Sequence, residues 1–141
     1  MEPVNVINFN SNVTLEGSDG DDTIKNGDGS YSAGGSNVLI LAGDGNDYIS
    51  NSAERAYSSA GNLTIDGGEG DDTIDNGPYY YSASGDSING GAGNDLIRNR
   101  NSNVTLGGGE GNDTLIGNNG TEAFIYTSGN DLIKGFRHPN F

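Results

Sequence analysis

Six aspartates recur at the ends of six short turns: Asp22, Asp47, Asp72, Asp95, Asp113 and Asp131, spaced by 25, 25, 23, 18 and 18 residues. The turns read GSDGDD, AGDGND, GGEGDD, GGAGND, GGEGND and YTSGND. Carboxylates set among glycines favour oxygen ligation of a hard cation. Calcium takes six to eight oxygen ligands, backbone carbonyls among them. Glycine lets a turn curl its carbonyls toward an ion and tolerates positive φ. If the turns stack, the carboxylates stand in a file roughly 5 Å apart, the distance between neighbouring strands. Buried and unpaired, such charges are very costly. A dication between successive turns removes the repulsion.

The elements that position this file are short strands. Two residues past each Asp comes Ile24, Ile49, Ile74, Ile97, Leu115 or Ile133. About ten residues before the Asp lies a second segment, with Val13 and Leu15, Val38 and Ile40, Leu63 and Ile65, or Val104 and Leu106. Apolar residues two apart on a strand face one side. The unit is therefore turn, strand, turn, strand, and two facing strands per coil make a flattened solenoid. Each coil brings only about three apolar side chains, so stability must come from stacking coil on coil. The string NSNVTL occurs at Asn10–Leu15 and again at Asn101–Leu106, which places Val4 at the Asp position, 18 residues before Asp22. Asn26, Asn51, Asn76 and Asn99 follow the first strand's apolar residue. Two readings stand: a hydrogen-bonded side-chain ladder, or turn-forming asparagines without one.

Composition agrees with a chain that needs a cation. Apolar residues are 31% of 141, too few for a conventional core, and 20 acids against 6 bases leave a net charge of −14. Alone, that pattern reads as disorder. A nucleic-acid partner is excluded, because phosphate binding needs a basic patch. There is no Cys, so there is no disulfide or thiol chemistry, and no apolar run reaches transmembrane length. Met1 to Asn10 lacks the basic start and apolar stretch of a secretory leader. The expectation is a single domain: residues 1–15 a degenerate cap coil, 16–135 the cation-binding coils, 136–141 a tail.

The spacing G-G-x-G-x-D-x-U-x, with U a large apolar residue, resembles the RTX (repeat-in-toxin) haemolysin-type calcium-binding nonapeptide repeat family over nearly the whole chain. The resemblance implies an all-β fold, a right-handed parallel β-roll or β-solenoid of about six and a half coils with two short strands each. It implies Ca2+ between stacked turns, with the six named Asp side chains as ligands. Backbone carbonyls then complete the shell: Ser18, Asp19 and Gly20; Gly43, Asp44 and Gly45; Gly68, Glu69 and Gly70; Gly91, Ala92 and Gly93; Gly109, Glu110 and Gly111; Thr127 and Gly129. The side chains of Asp19, Asp44 and Glu69 read as solvated. The family carries glycine turns on both edges of the roll, whereas here they fall on one edge. One column of about four to five ions is expected, with the last turn, YTSGND, short of two glycines. The implied function is a non-enzymatic module of a secreted bacterial protein, exported by type I secretion and folding on calcium. It is a monomer or part of a longer chain.

Residues beyond this frame point elsewhere. The first three coils exceed 18 residues on the edge opposite the file, and their loops carry Tyr31, Tyr57, Tyr79, Tyr80 and Tyr81. Exposed tyrosines suit recognition, so the alternative function is a carbohydrate- or surface-binding adhesin module. The same tyrosines can instead shield one another as a minicore. A third reading is an accessory module of a larger toxin or polysaccharide-active enzyme. The sequons at Asn12, Asn62 and Asn103 lie on the repeated strand, where Thr is an outward β-former. The outward positions form no unbroken Thr array of the kind an ice-binding face needs. His138 is the only histidine and sits in the tail, and no nucleophile has a base near it.

Overall fold

The computed structural model describes residues 2–29, 35–53, 61–77, 85–118 and 120–135. The alternation seen in the sequence becomes two parallel sheets. One holds the odd strands in the order β1 (Asn5–Asn8), β3 (Thr23–Gly29), β5 (Tyr48–Ala53), β7 (Thr73–Asn76), β9 (Leu96–Asn99), β11 (Thr114–Ile116), β13 (Leu132–Lys134). The other holds β2 (Thr14–Glu16), β4 (Leu39–Asp44), β6 (Thr64–Glu69), β8 (Ser87–Ala92), β10 (Val104–Glu110) and β12 (Glu122–Ile125). Each strand pairs with the equivalent strand one coil away, so the chain is a parallel β-roll of six and a half coils. Among the described residues no helix is long and apolar enough to cross a membrane.

Register follows the apolar rows. Ile24 pairs with Ile49, Ile49 with Ile74 and Ile74 with Ile97, although the coils differ in length. The extra residues fall between an odd strand and the next even one, where they cannot shift either sheet. A slip of one residue would turn every isoleucine outward. The core is a ribbon: Ile24, Ile49, Ile74, Ile97 and Leu115 from one sheet face Val38, Ile40, Leu63, Ile65, Ile88, Val104 and Leu106 from the other, all buried. Each such side chain contributes about 1.5–3 kcal/mol. The row is broken at two acidic positions, half-buried Glu122 opposite Val104 in the last coil and Asp86 inside the core. Asp86 stands where the other coils place Val38, Leu63 and Val104, and it is buried. It stays in the core because its carboxylate accepts the Leu63 N–H at 3.0 Å and the side-chain amides of Asn76 and Asn101 at 3.1 and 3.3 Å.

The asparagines do form a ladder, and it extends one coil further than the four residues singled out. Asn8, Asn26, Asn51 and Asn76 each donate Nδ2 to the Oδ1 of the next member, at 2.7–3.1 Å, and the last, Asn99, donates to the Asn101 carbonyl at 2.8 Å. The ladder lines the edge opposite the glycine turns. The same side chains also fasten the chain as it crosses between sheets: Asn26 donates to the Gly35 carbonyl and accepts its N–H, both at 2.9 Å.

Candidate metal centre

The glycine turns link each even strand to the next odd strand, so register in both sheets stacks turn on turn. Asp22, Asp47, Asp72, Asp95 and Asp113 come together in one file, each 1–2% exposed. Asp131 closes the file half-buried. Below them, Val4 occupies the equivalent place, and its N–H donates to Asp22 Oδ1 at 2.6 Å.

One oxygen of each carboxylate belongs to the backbone. The N–H of Asp22 donates to Asp47 Oδ1, that of Asp47 to Asp72, that of Asp72 to Asp95, and that of Asp95 to Asp113, at 2.7–2.9 Å. Asp113 N–H reaches Asp131 Oδ1 at 3.1 Å. The other oxygen is different. Oδ2 of Asp47, Asp72, Asp95 and Asp113 is buried and accepts no hydrogen bond from the protein. Native proteins rarely leave a buried acceptor in this state.

The turn backbone explains where these oxygens point. Gly68 and Gly70 have φ of 107° and 125°, and a side chain on either would run into the carbonyl oxygen of Gly43 or Gly45 in the turn below. The carbonyls at these two positions therefore face the next turn. At Gly67 an added methyl would fall between Asp72 Oδ2 and the carbonyl oxygen of Gly90 in the turn above. That point is a cradle bounded by a carboxylate and a carbonyl of successive turns. Gly90 repeats it with Asp95 Oδ2 and the Gly108 carbonyl. In the second turn the same position is Ala42, with its methyl in the core.

Burial pushes the carboxyls up. The N–H bond from Asp47 opposes it at Asp72, but repulsion from Asp95, Asp47 and Asp71 adds to it, and the group is raised to about 7. Asp95 is raised to about 6 by burial, against the Asp72 N–H and with the charges of Asp113 and Asp71. Burial raises Asp47 and Asp113 as well. Asp22 goes the other way: burial is outweighed by the N–H groups of Val4 and Ser18, the Ser18 hydroxyl and the chain's amino terminus.

These residues fit a hard cation. Four buried carboxylate oxygens lack a partner, and carbonyls of adjacent turns converge on the same cradles. Among the described residues no three Asp, Glu or His side chains gather at one point. Any cation here is held largely by carbonyls, which suits calcium and not the nitrogen and sulfur ligands of zinc. Of the expected carbonyl donors, Glu69, Ala92 and Glu110 each already accept the N–H of the glycine one turn below, at 2.7–2.8 Å. The side chains of Asp19, Asp44, Glu69 and Glu110 are exposed. In the last turn the Gly129 carbonyl accepts the Tyr126 hydroxyl at 2.8 Å. Tyr31, Tyr57, Tyr79, Tyr80, Tyr81 and His138 lie outside the described residues.

A second file beside the first is not part of the motif. Asp21, Asn46, Asp71, Asn94, Asn112 and Asn130 precede the buried aspartates and stay exposed, Asp21 through Asn112 each accepting the N–H of the equivalent residue one coil on, at 2.7–3.0 Å. The signal was present: all six are Asp or Asn. Asn12, Asn62 and Asn103 of the sequons, with Asn37, have a backbone role that spacing does not reveal. They enter the even strands at φ of 54–59°, and Asn12, Asn37 and Asn62 are joined by amide hydrogen bonds of 3.0 Å.

Neither a curated protein nor a solved structure matches the chain. The family profile of the RTX calcium-binding nonapeptide repeat matches four times, at residues 10–33, 50–78, 82–103 and 105–133. These copies contain five of the six aspartates of the file and most of both sheets. By its turns, its parallel roll and these four matches, the chain belongs to the RTX calcium-binding nonapeptide repeat family.

Proposed function

We propose that this module folds by stacking its coils on a single column of Ca2+ and does so outside the cell, as part of a secreted bacterial protein exported by type I secretion. The observation that carries the reading is the set of four buried, unpartnered carboxylate oxygens on Asp47, Asp72, Asp95 and Asp113. Those four side chains hold the ions with the carbonyls of the adjoining turns, and Asp131 offers a fifth, half-buried position. The number of ions is four to five. Bound calcium supplies charge neutralisation: four ions take the net charge from −14 to about −6.

Because the site exists only when coils are stacked, calcium binding and folding are one equilibrium. Extracellular calcium modules bind at about 10⁻⁴–10⁻³ M. The chain would therefore remain unfolded at cytosolic calcium and order after export. Its role is binding and scaffolding, not catalysis: the buried carboxylates are committed to the column. Circular dichroism in EDTA, in magnesium and in millimolar calcium tests this. The β signal is expected only with calcium, and equal signals in EDTA and calcium would remove the switch.

A further inference from the structure

The unpartnered oxygens belong to Asp47, Asp72, Asp95 and Asp113, while the fifth fully buried member of the file, Asp22, has none. Its Oδ2 accepts the N–H of Ser18. Its Oδ1 accepts the Val4 N–H at 2.6 Å and the Ser18 hydroxyl at 2.9 Å. Ser18 holds the turn position that is Gly43, Gly68, Gly91 and Gly109 in the next four coils. Those glycines have φ of 107–115°, and Ser18 is not in that region. Its N–H and hydroxyl thus turn toward the carboxylate of its own turn. A cation bound at Asp22 Oδ2 would have to displace a charge-assisted hydrogen bond that no other turn makes.

We propose that Asp22 is a metal-free cap and not a calcium ligand: Ser18 and Val4 give its carboxylate the partners that an ion gives the others, and the column begins with the second turn. The inference rests on the calcium reading above.

The test counts bound calcium on the full chain by calorimetry and native mass spectrometry, for wild type, Asp22→Asn and Asp72→Asn. Wild type and Asp22→Asn are expected to bind the same number, and Asp72→Asn at least one fewer. A measurement on the wild type alone guards against a variant that fails to fold. The Ser18 amide proton should stay far downfield by NMR in saturating calcium, as expected for an N–H on a carboxylate. One ion lost in Asp22→Asn, or a Ser18 amide released upfield by calcium, overturns the cap while leaving the calcium reading intact. A wild type that binds no calcium sinks both.

Discussion

Asp72 and Asp47 are tied in one direction: the N–H of Asp47 donates to Asp72 Oδ1 at 2.8 Å, from one coil up to the next. One residue earlier in each turn the direction reverses, and Asp71 N–H donates down to Asn46 Oδ1 at 2.7 Å. Each pair of turns is thus clamped by opposed bonds, with the free Asp72 Oδ2 left facing the cradle at Gly67. The Asp72 carboxylate therefore has two separable roles, a backbone acceptor and a charge.

Asp72→Asn separates those roles. The amide oxygen can still accept the Asp47 N–H, but the buried charge is gone. In EDTA the variant should be more ordered than wild type. In calcium it should need several-fold more of the ion to reach half-folding. Asp72→Ala removes both roles and should lose one or two ions. Calcium titrations followed by circular dichroism check both variants, and an Asp72→Asn indistinguishable from wild type would contradict the assignment.

The raised carboxyls set a pH dependence with a definite sign. Asp72 and Asp95 have folded values of about 7 and about 6, above an unfolded value near 3.8. Between roughly pH 4 and 7 the folded, calcium-free chain binds more protons than the unfolded one, so its stability falls as pH rises through that window. Protons and calcium compete for the same oxygens, so apparent calcium affinity should rise over the same window and level off above about pH 7. The β signal in EDTA at pH 5 against pH 8, and calcium titrations at pH 5, 6, 7 and 8, test both trends.

Two glycines give opposite expectations. Gly68→Ala forces a side chain into φ of 107° and against the Gly43 carbonyl. It should cost more than about 1–3 kcal/mol, the range for strained backbone alone. Gly107 has no such φ, and an added methyl would make ordinary contacts at 3.5 Å and beyond. Gly107→Ala should be neutral or stabilising by about 0.4–1 kcal/mol. Thermal melts in saturating calcium compare the two.

Asn51→Ala breaks the opposite edge. It deprives Asn26 and Asn76 of buried partners at 3.1 and 2.7 Å. Loss of a buried partner costs about 1–3 kcal/mol. Denaturant midpoints should fall while the calcium count is unchanged. A lost ion would mean that the two edges are coupled.

Repeat spacing alone determined the coil, its two strands, the inward isoleucines and the file of aspartates, because period-two alternation and a recurring turn leave little choice of register. It also placed Val4 at the foot of the file, where the Val4 N–H meets Asp22. Only the tertiary structure decided how each polar group in the stack is satisfied. Spacing puts Asp22 and Asp72 in equivalent places, yet Ser18 satisfies one and leaves the other with a free oxygen. It could not show that Asp86 would enter the core, since three donors from other coils make that burial tolerable. The hydrogen-bond partners along the aspartate file lie 18 to 25 residues apart. Their direction depends on how side chains turn across a gap between coils, and that gap exists only once the chain is wound.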